Sequence, residues 1–321
     1  MDDSRLTRRQ VLVGAVMGAG ALIWQRSGCA ASARAVAPAE AAGTITIGGD
    51  LVVNRMGFGA MRITGPGIWG EPKDPREARS VLRRAVELGV DFIDTADAYG
   101  PEVSERLIAE ALHPYPKGLV IATKGGTVRP QASEWVSDGR PEHLREACEA
   151  SLKRLKLERI DLYQLHRIDP KVTAADSLGE LARLQQEGKI RHIGLSQVKV
   201  DVLAAARRIV PIVSVQNRFN VADRSSADVL AVCEREQLAF IPWAPLASGS
   251  AEKLESGLGS NALDALARAH GVSVWQVAIA WLLAKSPAML PIPGTSSVAH
   301  LEENVAAARI KLSPNELAAI G

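Results

Sequence analysis

The chain has 321 residues, a formal net charge of +2, 47% hydrophobic residues and 4% aromatic residues. That length is enough for one sizeable core, and α/β barrels of this size often form a single domain. The small net charge, without any long run of Lys and Arg, argues against nucleic acid as a partner.

Residues 1–33 have the pattern of a twin-arginine export signal. The pair Arg8-Arg9 precedes a weakly apolar stretch, Val11–Ile23, and the small residues Ala31-Ser32-Ala33 resemble a cleavage site. The apolar stretch is too short to span a bilayer comfortably. We therefore expect export by the twin-arginine (Tat) machinery to the periplasm or another extracytoplasmic compartment. The alternative is an unprocessed N-terminus on a cytoplasmic protein.

Residues 34–43 have the composition of a linker, and the regular pattern of the folded domain covers residues 44–321. Thr44–Ile47 and Leu51–Val53 flank a Gly-rich turn and predict a β-hairpin. Eight short apolar runs then alternate with amphipathic helical stretches. The predicted strands are Met56–Ala60, Asp91–Thr95, Leu119–Lys124, Ile160–His166, Ile190–Ser196, Val213–Phe219, Ala239–Ala244 and Met289–Pro293. The clearest helical patterns are Pro75–Leu88, Pro141–Leu155, Ala174–Glu187 and Ser225–Glu236.

This alternation predicts a parallel sheet, either as a closed barrel or as an open doubly wound sheet. An open sheet would normally bring a Gly-rich dinucleotide-binding turn after its first strand. Gly57-Phe58-Gly59 is followed by Ala60-Met61-Arg62, so the G-x-G-x-x-G pattern is not completed. Eight units without that pattern favour an α/β fold, a (β/α)8 TIM barrel with an N-terminal β-hairpin.

The cysteines and histidines show no metal-binding spacing. Cys29, Cys148 and Cys233 form no CxxC pair, and none of the six histidines lies in an HExxH motif or a Cys/His cluster. The sequence therefore predicts neither a metal site nor a disulfide framework.

Four polar residues lie at or just beyond the ends of the second, third and fourth predicted strands: Asp94, Tyr99, Lys124 and His166. In a barrel, these strand ends meet on the face where catalysis takes place. A charged residue at the rim of a core is costly unless it is paired, so Asp94 and Lys124 taken alone also fit a structural ion pair. Tyr99 and His166 taken alone fit an ordinary loop tyrosine and rim histidine. The convergence of all four on one face favours a catalytic site.

These four side chains together can deliver a proton. A free tyrosine has a pKa near 10, and a neighbouring ammonium that Asp94 holds in place is expected to lower it. A neutral imidazole from His166 can orient and polarise a carbonyl oxygen. The set suits hydride addition to an aldehyde or ketone. It does not suit acyl transfer, because no serine or cysteine nucleophile with a partner base is evident.

From about Val53 to Ala308 the chain resembles the aldo-keto reductases. The segments that carry the resemblance are Asp94–Gly100, Ala122–Lys124, Asp161–His166, Gly188–Ser196, Val215–Asn217 and Ile292–Ser297. The resemblance implies a catalytic tetrad of Asp94, Tyr99, Lys124 and His166, with Tyr99 as the general acid. Further segments resemble bacterial pyridoxal-reductase-like members: Ala60-Met61, Thr64–Gly67, Tyr99–Pro101 and Pro293–Leu301.

The resemblance also implies a cofactor, NADPH/NADP+, bound without a Rossmann domain. The matching positions for its nicotinamide end are Ser196, Gln197, Gln216, Trp243 and Leu246, with Trp243 stacked on the ring. The matching positions for its phosphates are Gly294, Thr295, Ser296, His300, Glu303 and Asn304. Many family members carry a lysine where Gly294 stands and an arginine where His300 stands, so NAD(H) stays open as an alternative.

The resemblance implies a small-molecule carbonyl substrate, in an open pocket bordered by Trp69 and Trp135 together with Tyr99 and His166. We expect a monomer that reduces an aldehyde or ketone to an alcohol. Two alternatives stay open. One is a cofactor-binding subunit that senses redox state for a partner protein. The other is the same chemistry run as an alcohol or sugar dehydrogenase.

Overall fold

A computed structural model of the chain describes residues 36–246 and 260–321. The predicted export signal, residues 1–33, lies outside the described residues. The predicted linker is partly folded, because Pro38–Ala42 forms a 3-10 turn in which Ala39 is buried. The backbone N–H of Ala39 donates to the carbonyl of Leu88 at 3.0 Å, which ties this turn to the barrel.

The central sheet confirms the predicted α/β barrel class. Seven parallel strands lie in the spatial order β11-β10-β9-β8-β5-β4-β3. Their bounds are β3 Phe58–Gly59, β4 Phe92–Asp94, β5 Val120–Gly125, β8 Ile160–Leu165, β9 Ile190–Ser196, β10 Ile212–Gln216 and β11 Ala239–Phe240.

The predicted eighth strand, Met289–Pro293, closes the ring without forming a regular ladder. Met289 makes a single parallel bridge to Phe240 of β11. On the other side, the N–H of Gly57, just before β3, donates to the carbonyl of Pro291 at 3.0 Å. Pro291 and Pro293 have no N–H to donate, so this segment can pair only intermittently. We call residues 289–293 the closing segment.

Helices surround the barrel, and their beginnings follow the sequence signals. The helix α1 begins at Pro75, and the Asp74 carboxylate before it accepts N–H groups of Arg76 and Glu77 at 2.8 and 3.2 Å. Such a capping carboxylate satisfies N–H groups that have no partner within the helix. The helices are α1 Pro75–Glu87, α2 Val103–Leu112, α3 Pro141–Leu155, α4 Ala174–Gln186, α5 Val200–Ala206, α6 Ala227–Arg235, α7 Ser260–His270, α8 Val274–Lys285, α9 Val298–Ala306 and α10 Pro314–Ile320.

A hairpin covers the N-terminal end of the barrel. It consists of β1 Thr44–Ile47 and β2 Leu51–Asn54, and Ile47 and Val53 are buried in one cluster with Phe92. A second hairpin, β6 Thr127–Val128 with β7 Val136–Ser137, follows β5 at the opposite end. The strand ends that carry the predicted site therefore stay open to ligands.

Two kinds of feature, a membrane-spanning helix and a metal-binding cluster, are absent from the residues that the structure describes. None of the helices there has the length and apolar composition that crossing a bilayer requires. Nor does that part of the chain contain three or more His, Cys, Asp or Glu side chains grouped so that they could hold a metal ion. Cys148 and Cys233 are free and buried, and burial raises the pKa of both thiols to about 12.

Candidate active site

Three neighbouring strands bring the four predicted catalytic side chains together. Asp94 ends β4, Lys124 lies near the end of β5, and His166 directly follows β8. Because β4 pairs with β5 and β5 with β8, their C-terminal ends are adjacent. Tyr99 reaches the same place from the loop after β4, and its ring centroid lies 5.8 Å from that of His166.

A buried ion pair forms the centre of the site. Lys124 Nζ lies 2.6 Å from Asp94 Oδ1, with the two side chains 0% and 2% exposed. The ammonium also donates to the carbonyl of Thr95 at 2.8 Å and to Tyr99 Oη at 3.3 Å. All three protons of the ammonium thus have an acceptor, which is what a buried charge requires.

Two glutamines hold the second oxygen of Asp94. Gln164 Nε2 donates to Asp94 Oδ2 at 3.0 Å, and Gln216 Nε2 donates to the same oxygen at 2.8 Å. Gln164 had no predicted role, and Gln216 was predicted only as a cofactor contact. The strand period supplies a signal for Gln164, because residues two apart point to the same face and His166 is such a neighbour.

The pKa of Tyr99 differs from the expectation. Burial raises the pKa of this phenol, and the Lys124 ammonium, which lowers it, offsets only part of that effect. The net pKa therefore lies above the ordinary value, whereas the sequence predicted a lowered one. Burial also lowers the pKa of Lys124, but Asp94 and Tyr99 outweigh it, so this pKa is raised and the ammonium keeps its charge.

His166 is neutral at ordinary pH. Burial lowers the pKa of its imidazole well below the usual value, and the positive charges of Lys124 and Arg167 lower it further. Its Nδ1 is buried without a hydrogen-bond partner among the described residues. A buried N–H at Nδ1 without an acceptor would cost more free energy than an unprotonated Nδ1, so we place the ring proton on Nε2.

A cavity of about 540 Å³ opens above these residues, within the range typical of small-molecule sites. Its wall includes Tyr99 and His166 and all five residues predicted for the nicotinamide end, namely Ser196, Gln197, Gln216, Trp243 and Leu246. The Ser196 hydroxyl donates to the carbonyl of Gln216 at 2.9 Å. Gln197 has a left-handed backbone, with φ of 56°, and such strained residues cluster at ligand sites.

The predicted phosphate residues divide into two groups. Gly294, Thr295 and Ser296 line the cavity. His300, Glu303 and Asn304 lie on α9 and are not part of the cavity wall, so their predicted contacts stay predictions. A Cβ atom at position 294 would lie 2.4 Å from the carbonyl oxygen of Gly59. This close approach of two backbones explains glycine at that position.

Aromatic side chains and an arginine form the rim. Trp135, in the hairpin β6–β7, lines the cavity with its ring centroid 6.3 Å from that of Tyr99. Trp69 is not on the wall, and its predicted place beside the substrate stays a prediction. The guanidinium of Arg129 lies 3.8 Å from the Trp135 ring centroid and 5.5 Å from that of Trp69. No sequence pattern predicted a role for Arg129.

Comparisons with known proteins agree with this architecture. The sequence model of the aldo/keto reductase family matches residues 55–321. An uncharacterised oxidoreductase of Schizosaccharomyces pombe is 54% identical over 282 residues, 88% of this chain and 90% of that protein. Pyridoxine 4-dehydrogenase of Escherichia coli is 40% identical over 283 residues, 86% of this chain and 96% of that protein. The crystal structure of an aldo-keto reductase from Klebsiella pneumoniae in complex with NADPH has a TM-score of 0.73 and 26% identity, covering 86% of this chain and 93% of that one.

Proposed function

The chain belongs to the aldo/keto reductase family, and on that premise we propose that it is an NADP(H)-dependent oxidoreductase that reduces an aldehyde or ketone to an alcohol. The observation that carries the proposal is the contact of Lys124 Nζ with both Asp94 Oδ1 and Tyr99 Oη, at 2.6 and 3.3 Å, beneath a cavity. A buried ammonium beside a phenol is an arrangement for supplying a proton at a fixed point.

The cavity residues fit such a cofactor. The wall provides amide and hydroxyl groups from Ser196, Gln197 and Gln216 for a carboxamide, and the Trp243 ring for a flat heterocycle. At its other end, Gly294, Thr295 and Ser296 line the cavity, and backbone N–H and hydroxyl groups of such residues suit phosphate oxygens. When bound, NADPH supplies the hydride that the carbonyl carbon accepts.

The protein's own residues bind the carbonyl oxygen and protonate it. The Nε2–H of His166 holds this oxygen, and its neutral ring leaves the proton transfer to the phenol. Tyr99 gives its proton to the alkoxide as negative charge develops. The Lys124 ammonium stabilises the phenolate that remains. Asp94 keeps the ammonium in place through Oδ1, while the two glutamines hold its Oδ2. Because burial raises the pKa of Tyr99, the phenol stays protonated until the alkoxide forms.

We propose pyridoxal as a substrate, with pyridoxine oxidation as the reverse reaction. The support is the 40% identity to a pyridoxine 4-dehydrogenase over 86% of this chain. The Trp135 ring at the cavity wall suits an aromatic aldehyde, since aromatic rings pack well edge to face.

The test of the proposed function is NADPH oxidation with pyridoxal by wild type and by Tyr99→Phe. Removing a general acid is expected to lower kcat by roughly 100-fold to 10,000-fold. Tyr115→Phe is the matched control, because it removes a hydroxyl that donates to the Leu155 carbonyl at 2.7 Å away from the cavity. Full turnover by Tyr99→Phe would contradict the proposed acid.

A further inference from the structure

Arg167 is a half-buried residue whose guanidinium has no partner among the described residues. It lines the cavity immediately after His166, and its Nε is buried. No hydrogen bond or ion pair connects it to any residue in the part of the chain that the structure describes. Arg129 and Arg218 also have a buried Nε without a hydrogen bond, but the Arg129 guanidinium donates to the carbonyl of Ile68 at 3.1 Å and that of Arg218 lies 3.0 Å from Asp223 Oδ2. Arg154 and Arg55 are bonded through Nε itself, at 2.7 Å to Glu105 Oε2 and 3.1 Å to the carbonyl of Met289.

An arginine in this situation is suited to bind an anion. A guanidinium carries five donors in a planar fork that matches carboxylate and phosphate groups. Leaving such donors unpaired away from water is costly. Among the described residues, the one acidic side chain in the cavity wall is Asp94, which is already paired with Lys124.

The barrel topology separates Arg167 from the segment that suits the cofactor phosphates. Gly294–Ser296 directly follow the closing segment, which lies between β11 and β3. β8, which precedes Arg167, is the fourth strand from either end of the order β11-β10-β9-β8-β5-β4-β3. It is therefore the strand farthest around the barrel from the closing segment. Arg167 therefore stands across the barrel from the phosphate segment and on the side of His166.

We propose that Arg167 binds an oxyanion carried by the substrate, a carboxylate or a phosphate monoester on the same molecule as the reacting carbonyl. This inference rests on the proposed function and specifies its substrate class. Adjacent residues are about 3.8 Å apart at Cα, so a carbonyl oxygen held by His166 places a substituent of the same small molecule within reach of the guanidinium. Arg167 thus selects anionic carbonyl compounds over neutral ones.

The experiment compares matched anionic and neutral substrates by kcat/KM with NADPH. One pair is 4-carboxybenzaldehyde and its neutral methyl ester, and the second pair is pyridoxal 5′-phosphate and pyridoxal. Full-length wild type, Arg167→Gln, Arg167→Lys and Arg208→Gln are measured with each. Arg208→Gln removes the same charge from an exposed position and serves as the control. Binding of NADPH is measured separately by fluorescence.

We expect wild type to prefer the anionic member of at least one pair by roughly tenfold to a hundredfold, the range of a charge-assisted hydrogen bond. Arg167→Gln should bring that ratio toward one through a higher KM for the anion, and Arg167→Lys should keep part of it. The ratio should not change in Arg208→Gln. The pair that shows the preference identifies the oxyanion as carboxylate or phosphate.

Three results would overturn the inference. The first is a wild type with no preference in either pair, and the second is a preference that survives Arg167→Gln. The third is an Arg167→Gln variant that binds NADPH more weakly while its substrate ratio stays the same. The last result would assign the guanidinium to a cofactor phosphate. If Arg167→Gln does not fold, the wild-type ratio and Arg167→Lys still decide. Absence of turnover with every aldehyde, the neutral ester included, would instead reject the proposed function, and the inference would be rejected with it.

Discussion

Replacing one member of the buried pair Lys124–Asp94 should reduce stability much more than replacing both. Burial removes water from both ions, so each charge is compensated mainly by the other at 2.6 Å. We expect Lys124→Met to lower the free energy of unfolding by about 3–5 kcal/mol, because it leaves an uncompensated carboxylate. The double variant Asp94→Asn/Lys124→Met should recover most of that loss. Urea unfolding of the three proteins measures both values.

The same variants separate stability from catalysis. Turnover should be lost in the single and the double variant, since neither has an ammonium beside Tyr99. A double variant as unstable as Lys124→Met would show that the two charges are not coupled.

His166 gives a prediction for the pH dependence of stability. Its folded pKa is well below the ordinary 6.5, whereas the unfolded chain takes up a proton near 6.5. The unfolded state therefore binds more protons as pH falls below about 6.5, and the folded state loses about 1.4 kcal/mol per pH unit from this one group. His166→Gln should lose less stability than wild type between pH 7.5 and pH 5. Equal slopes in urea unfolding would contradict a neutral His166.

The site residues that lie at strand ends could be predicted from the sequence. Asp94, Lys124 and His166 could be placed on one face because parallel strands share an open end. The net pKa of Tyr99 could not be predicted, since it depends on how completely burial outweighs one ammonium. Arg129 could not be found either, because its contacts reach across loops whose conformations no local pattern specifies.

Arg129 is the element-scale feature that shapes the cavity rim. It donates to the carbonyl of Ile68 at 3.1 Å, in the loop after β3, and to that of Ala98 at 3.4 Å, in the loop after β4. Its guanidinium also lies against Trp135 of the hairpin β6–β7. One side chain thus joins three loops and fixes the position of the Trp135 ring.

Arg129→Lys should therefore raise KM for an aromatic aldehyde on the order of tenfold, with a smaller effect on kcat, because a displaced rim costs substrate positioning. Lysine keeps the charge but loses the planar fork, whose Nη1 donates to the carbonyls of Ile68 and Ala98 and whose Nη2 donates to those of Gly67 and Ala132. Arg79→Lys is the control, since it alters a surface pair with Glu110 on α2. An unchanged KM in Arg129→Lys would show that Trp135 keeps its place without the guanidinium.

Seven of the eight predicted barrel strands were confirmed, but their lengths were not predicted. The run Ala239–Ala244 forms a strand only over Ala239–Phe240. Beyond it, Trp243 makes a single bridge with Arg218 and lines the cavity. The closing segment is a second case, because its prolines remove two ladder donors. Hydrophobic pattern identifies a strand, whereas pairing partners decide where it ends.

At the scale of the whole molecule, we propose that the protein is exported by the twin-arginine route. The sequence of residues 1–33 supports this. Reduced cofactor is not regenerated outside the cytoplasm, so an exported reductase needs its cofactor to travel bound. The twin-arginine route carries folded proteins, which makes that compatible with export.

Changing the twin arginines gives the decisive test of this proposal. Arg8→Lys/Arg9→Lys should reduce the extracytoplasmic fraction to background, because the pair is the recognition element of the signal. Arg5→Lys lies in the same charged region outside the pair and should leave export intact. N-terminal sequencing of the wild-type protein from the extracytoplasmic fraction should find a start beyond Met1, near Ala33. An intact Met1 in the cytosol of wild-type cells would overturn export, and the barrel would then work where NADPH is regenerated.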